Sequence, residues 1–240
     1  MPGLYMEADP MIRDEANERF RRLRTIIKSI TMTGLFFAIV RPTAAGIADA
    51  QLDVRVETFL EQRRGTWRDL NVPYEDGKIL HDLIVEHKFT RAFEIGTSTG
   101  HSTIWIAWAL SKTGGKLTTV EIDPARQEQA KANVAAAGLS QYVEFILGDA
   151  HKIVPTAQGR YDFVFSDADK DWYIRYFDAM YPKLTANACF TAHNVDESRF
   201  GFTRGWVRDY LKHVRSVPDM LTYIHPESRA GVAITCKKTA

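Results

Sequence analysis

"RAFEIGTSTGHSTIWIAWALS", residues 91–111, holds the turn on which the fold reading rests. RAFEI is a short apolar run of strand type ending at Gly96, and STIWIAWALS (102–111) reads as a helix. Between them Gly96 and Gly100 stand in a G-x-x-x-G spacing, which lets the backbone turn tightly and approach a ligand. The same unit recurs outward along the chain. Upstream, DVRVETFLEQRR (53–64) and VPYEDGKILHDLIVEHK (72–88) read as helices, the second with Ile79, Leu80, Leu83 and Ile84 at helical spacing. Downstream, KLTTVEI (116–122), YVEFIL (142–147), YDFVFS (161–166) and ACFTAH (188–193) read as strands. PARQEQAKANVAAAG (124–138), DWYIRYFDAMYPKL (171–184) and TRGWVRDYLKHV (203–214) read as the helices between and after them. MLTYIH (220–225) and GVAITCKK (231–238) are two last strands with a short turn between them. This alternation predicts an α/β fold, a doubly wound and mostly parallel sheet of seven strands that closes in an antiparallel pair. In such sheets ligands bind beyond the carboxyl ends of the strands.

The bulk properties leave room for one sizeable domain with an extension. The chain has 240 residues, 45% hydrophobic and 25% charged, with a net charge of +1. That balance is ordinary for a globular protein and lacks the basic footprint of a nucleic-acid partner. Cys189 and Cys236 make no C-x-x-C pair and no disulfide framework, and they read as buried thiols. Residues 1–50 differ from the rest. RFRRLRTIIKS (19–29) is basic, ITMTGLFFAIV (30–40) is uncharged and apolar, and Ala48-x-Ala50 precedes Gln51. That order is the pattern of a secretory signal peptide. The apolar run is shorter than the ~20 residues a membrane span needs, so no stable span is expected. The reading is an extension over 1–50 and a domain over 51–240. An amphipathic helix packed on the domain or on a second copy is the other reading of the extension.

The strand ends carry the chemistry. In EIGTSTGHS (94–102) the helix starting near Ser102 offers free N–H groups to a carboxylate or phosphate. Position 98 is Ser, so the G-x-G-x-x-G spacing of a dinucleotide site is missing. Glu121 ends the second strand, where an acid accepts hydrogen bonds from both hydroxyls of a ribose. Asp149, in GDAH, ends the third and is placed to meet an adenine amino group. The ligand these describe has an adenosine and a small charged end without a pyrophosphate, and S-adenosylmethionine fits. FVFSDADKDWY (163–173) then crowds Asp167, Asp169, Asp171 and Lys170 at the fourth strand end. This is either a site or a solvated turn, with Asp171 as the candidate cap of the following helix.

Over roughly residues 53–238 the chain resembles the class I S-adenosylmethionine-dependent methyltransferases, specifically the catechol and caffeoyl-CoA O-methyltransferase family. The likeness runs through LNVPYEDG (70–77), FEIGTSTGHS, VEIDP, GDA, DADKDWY and AHNV. It implies a Rossmann-like methyltransferase fold and methyl transfer to a hydroxyl of a small, aromatic acceptor with a divalent metal assisting. It implies Val72, Glu94, Gly96, Ser98 and Ser102 around the methionine part, with Gly100 in the same turn. It implies Glu121 at the ribose, and Asp149, Ala150 and Asp167 around the rest of the cofactor. Lys170 would take the acceptor's proton, and Asp167 with the pair His193-Asn194 would bind the metal. A metal on the acceptor oxygen lowers its pKa and orients it. Family members are often homodimers.

Three features depart from the family pattern. The metal-binding Asp-Asn pair reads His193-Asn194 here. A carboxylate, an imidazole and an amide favour Mn²⁺, Fe²⁺, Co²⁺ or Zn²⁺ over Mg²⁺. Without a metal, His193 would act as a base or hydrogen bonder, or simply end its strand with its hydrogen bonds satisfied. Ala233 stands where catechol-type members carry an acid that meets a second hydroxyl. Arg199, Phe200, Phe202 and Trp206 lie beside this region and could shape an aromatic acceptor pocket. Finally, the signal-like extension points to export, whereas S-adenosylmethionine is a cytosolic metabolite. An exported, non-catalytic binding protein that keeps the fold is therefore the competing reading.

Overall fold

The computed structural model describes residues 44–67, 70–196 and 205–238. The basic and apolar segments at 19–40, and Arg199, Phe200 and Phe202, lie outside the described residues. The first helix among the described residues, α1, spans Ala44–Gln62 and so runs across the expected boundary at 50/51. No helix among the described residues is long and apolar enough to cross a membrane.

The other elements follow in order: α2 (Tyr74–His87), β1 (Arg91–Ile95), α3 (His101–Thr113), β2 (Lys116–Glu121), α4 (Pro124–Ala137), β3 (Val143–Leu147) and α5 (Ala150–Thr156). Then come β4 (Tyr161–Ser166), α6 (Tyr173–Met180), β5 (Leu184–His193), α7 (Gly205–Arg215), β6 (Met220–Ile224) and β7 (Val232–Lys237). The seven strands form one sheet in the order β3-β2-β1-β4-β5-β7-β6. β1 to β5 are mutually parallel, while β7 runs antiparallel to both β5 and β6. The expected doubly wound sheet with its closing antiparallel pair is therefore the fold observed.

Residue alternation explains the layering. Ala92, Phe163 and Phe165 face one side of the sheet, where Ile79, Leu80, Leu83 and Ile84 of α2 and Leu110 of α3 pack on them. Phe93, Val164 and Phe190 face the other side, against Phe177 of α6 and Leu211 of α7. Each such side chain contributes roughly 1.5–3 kcal/mol by leaving water. The helix ends follow local chemistry. Asp123 caps α4 by accepting from the amides of Ala125 and Arg126, with Pro124 at the first helical position.

Three local expectations are corrected. α5 has no counterpart in the sequence reading, because seven residues with Pro155 inside are too short to display a helical period. β5 begins at Leu184 rather than Ala188. The cysteines are not free thiols: Cys189 and Cys236 form a disulfide. They face each other because β5 and β7 pair antiparallel with Cys189 opposite Cys236, their Cα atoms 4.0 Å apart.

Candidate active site

The strand order reverses at β1 and β4, which lie side by side at the centre of the sheet. Loops leaving their carboxyl ends must part to opposite sides, and a crevice opens between them. Gly96 sits at this point with φ +97°, and a Cβ there would lie 2.9 Å from the carbonyl oxygen of Asp167. Only glycine lets the two loops touch. Gly100 (φ +94°) starts α3 against the backbone of Ala130 on α4. A cavity of about 330 Å³ occupies the crevice, lined among others by Gly96, Ser98, Glu121, Asp149, Ala150 and Asp167. Six of the expected cofactor residues thus share one cavity.

The remaining four are placed behind it. Glu94 is fully buried and accepts from the hydroxyls of Ser102, Thr103 and Thr119, each at 2.6 Å. Burial pushes its carboxyl up to about 7, against the three hydroxyl donors. Ser102 and Glu94 therefore brace the turn from beneath. Val72 is buried, and its carbonyl lies 2.9 Å from His101 Nδ1, which ties the segment before α2 to the start of α3. Gly100 shapes the turn. On the cavity wall, Glu121 accepts from the amides of Ser98 (2.7 Å), Ile122 and Asp123 (both 3.0 Å). Asp149 caps α5 through the amide of His151 at 2.9 Å. The ring of His151 stacks on Trp172, centroids 3.7 Å apart, and closes α5 over the DADKD turn.

In that turn Asp169 caps the short 3₁₀ turn Lys170–Trp172, accepting from the amide of Asp171 at 3.1 Å; the expected cap, Asp171, is the donor, and α6 begins after Trp172 without a side-chain cap. Lys170 Nζ hydrogen-bonds Asp167 Oδ1 and, at 2.7 Å, the hydroxyl of Tyr173. Tyr173 in turn donates to the carbonyl of His193 at 3.0 Å, and Trp206 packs edge-on against its ring. His193 ends β5 and is almost wholly buried. Its Nε2 lies 3.0 Å from Asp76 Oδ2 and its Nδ1 lies 3.1 Å from Asp167 Oδ2. The second contact is an ion pair off the axis of a good hydrogen bond, so Nδ1 has no aligned acceptor. Asn194 follows with φ +60°.

Asp76 was not anticipated. It is completely buried and accepts from Ser228 Oγ (2.9 Å) and the amides of Arg229 (2.7 Å) and Ala230 (3.0 Å) as well as facing His193. Its signal was present: Asp76 stands on the apolar stripe of α2 with Ile79, Leu80, Leu83 and Ile84. A lone acid on a buried helical face demands donors across the interface.

The charges follow from this packing. Burial works against the charge on His193, but the carboxylates of Asp167 and Asp76 outweigh it and raise the imidazole to about 9. Burial likewise works against the ionised carboxylates, but His193 holds both Asp76 and Asp167 below their ordinary value, with backbone amides helping at Asp76 and Lys170 at Asp167. Asp167 thus faces Lys170 and His193, and Asp76 takes Nε2 of His193, while Nδ1 has no hydrogen-bond partner. Among the described residues no three His, Cys, Asp or Glu side chains gather into a group that could hold a metal. The set that the resemblance implied, Asp167, His193 and Asn194, supplies two such side chains and an amide, with His193 Nδ1 3.1 Å from Asp167 Oδ2.

Comparison with known proteins agrees with the fold. The family model for O-methyltransferases matches residues 50–195. A catechol O-methyltransferase of Mycobacterium tuberculosis is 39% identical over 125 residues, 52% of this chain and 56% of that protein. One from Niastella koreensis is 38% identical over 112 residues, 45% of this chain and 50% of that protein. The chain thus spans about half the length of the curated relatives it matches. Among solved structures, cofactor-bound Rv0187 from MTB superposes with a TM-score of 0.63 at 25% identity, over 85% of this chain and 96% of that one. The O-methyltransferase TomG from Streptomyces achromogenes, in complex with SAM, has a TM-score of 0.63 at 24% identity, over 92% of this chain and 98% of that one, a likeness of fold. With the strand order, the glycine turn and the matched segment in agreement, the chain belongs to the O-methyltransferase family.

Proposed function

We propose that this chain transfers a methyl group from S-adenosylmethionine to a hydroxyl of a small aromatic acceptor. The observation that carries the reading is the meeting of Glu121, Asp149 and Asp167 around one cavity at the β1/β4 crevice, with Lys170 bonded to Asp167. The sulfonium of the donor supplies an electrophilic methyl. Glu121, fixed by three backbone amides, keeps lone pairs for the two ribose hydroxyls. Asp149 stands at the adenine end. On the acceptor side Lys170 Nζ, in its neutral form, takes the hydroxyl proton as the new O–C bond forms and the S–C bond breaks. The resulting ammonium is matched by Asp167 and held by Tyr173. Positioning and charge matching in the crevice supply most of the acceleration.

The acceptor reading has one further support. Ala233, on β7 opposite Ala192, is buried and offers nothing to a second hydroxyl. Where the resemblance implies an acid for a second hydroxyl this chain has Ala233, which suits an acceptor with a single reacting hydroxyl better than a catechol. For location, the Cys189–Cys236 bridge favours an oxidising compartment, in line with the signal-like extension. Alkylation of the protein from its native cells tests this: two free thiols would place it in a reducing compartment.

The test of function is a calorimetric titration of S-adenosylmethionine, followed by methyl-transfer assays with monohydroxy and dihydroxy aromatic acceptors. Saturable donor binding and transfer that fails in Lys170→Met support the reading. A folded protein that does not bind the donor overturns it.

A further inference from the structure

Two of the loops that line the donor cavity leave strands that do not touch. β2 and β1 lie between β3 and β4 in the sheet, so no strand pairing sets the distance between the loop after β3 and the loop after β4. The first gives the cavity Asp149, Ala150 and His151, and the second gives it Asp167, Ala168 and Asp169. A pair of stacked rings joins them at the mouth, where the side chains of Asp149 and His151 are partly exposed. The imidazole of His151 lies on the indole of Trp172 with centroids 3.7 Å apart and planes 10° from parallel. The guanidinium of Arg175 lies over the same indole, 4.5 Å from its centre. The edge of the imidazole is engaged as well. Its Nδ1 lies 3.7 Å from Asp149 Oδ1 and its Nε2 lies 3.2 Å from Asp169 Oδ2, one acid from each loop. Two carboxylates on one cavity repel each other. In either neutral tautomer the ring brings one N–H between them.

We propose that His151 and Trp172 form a clasp that sets the width of the donor cavity and thereby its affinity for the adenosine end of the donor. The proposal rests on the methyl-transfer reading for the identity of that ligand. Both are positioning residues. Trp172 stands behind His151, outside the cavity lining, and acts only through it. The clasp also fixes Asp149, whose Oδ1 accepts from the amide of His151 at 2.9 Å. An acid held in place beforehand binds the adenine amino group at a smaller cost in ordering. Trp172 ends the short turn that begins with Lys170, but Lys170 is held separately by Asp167 and Tyr173. The clasp therefore serves donor affinity and not the proton-transfer step.

The test is a double-mutant cycle on the full chain, read by calorimetric titration of S-adenosylhomocysteine, with urea denaturation of each variant as a check on folding. His151→Ala and Trp172→Ala each remove the stack and are expected to weaken binding about three- to tenfold, the worth of one aromatic pair. Because the two rings act as one unit, the double variant is expected to bind about as weakly as either single one. Trp172→Phe keeps an aromatic face for the imidazole and is expected to bind within about twofold of the wild type. A general loosening of α5 or α6 would produce neither the rescue nor the failure of the two losses to multiply. Wild-type affinity in both Ala variants, losses that multiply in the double variant, or a Phe variant as weak as Trp172→Ala would each overturn the clasp. Should Trp172→Ala not fold, His151→Ala and Trp172→Phe decide: wild-type affinity in the first, or a loss of tenfold or so in the second, overturns it. A wild-type protein that binds no S-adenosylhomocysteine would overturn the proposed function and the donor role of the clasp with it. Variants that match a binding wild type overturn the clasp alone.

Discussion

The two halves of the crevice are built over different distances along the chain. In the donor half Glu94 takes hydroxyls 8, 9 and 25 residues away, and Glu121 takes an amide 23 residues away. In the acceptor half Asp76 meets His193 across 117 residues and Ser228 across 152. The donor half is a neighbourhood of successive strand ends, whose geometry a βα unit imposes almost by itself. The acceptor half exists only when α2, β5 and the β6–β7 turn have all reached their places. One half is a motif, and the other is a consequence of the closed sheet.

The largest test of this separation is Lys170→Met. Loss of a positioned base costs on the order of 10²–10⁴ in turnover. Donor affinity, measured by calorimetry, is expected to stay unchanged. An equal fall in both would mean the halves are not separable.

Next in size is Asp76→Ala, which leaves the His193 cation buried without its partner. Breaking a buried pair costs about 3–5 kcal/mol, readable by urea denaturation. Reduction of the disulfide, or Cys189→Ser, comes third. The bridge closes a separation of 47 residues, and bridges of this kind contribute about 2–4 kcal/mol. It ties β5 to β7, so its loss should loosen the acceptor half and spare donor binding.

Glu121→Gln should do the reverse with a smaller effect. Losing one charged hydrogen bond to the ribose costs about 1.5–3 kcal/mol of donor affinity, with unfolding barely altered. A stability loss as large as that of Asp76→Ala would break the comparison.

The smallest signal is in the slope of stability with pH. His193 is raised above its unfolded value to about 9, so its contribution is fully present below about 6.5 and is lost as pH rises through 9. Asp76 and Asp167 are depressed, so theirs is present above the ordinary carboxylate range and lost as pH falls through it. Glu94 works in the opposite sense to them. Its carboxyl is raised to about 7, so the native state favours its protonated form, and its contribution declines as pH rises from 4.5 to 7. Thermal melts between pH 6 and 10 should show the alkaline loss in the wild type and not in His193→Gln.

How far these features could be read beforehand follows the same division. The alternation of strands and helices fixed the layers, and Gly96, Glu121, Asp149 and Asp167 were placed by their position at strand ends. α5 escaped because it is shorter than two helical turns. Glu94 and Ser102, expected around the methionine part, lie bonded to each other behind the cavity lining, and spacing alone does not separate a wall from its support. Asp76 was legible as an acid out of place on an apolar face, yet nothing nearby in sequence named its partner.

What the sequence determined by itself is therefore the order of elements, the place of the candidate site at the strand ends and the donor-side residue types. Periodicity and turn chemistry act between residues a few positions apart, and they leave their mark in any short window. Only the tertiary structure decided that Cys189 faces Cys236 and that His193 lies between Asp76 and Asp167. Those pairings depend on which strand lies beside which, and strand order is settled by burying both faces of the whole sheet at once.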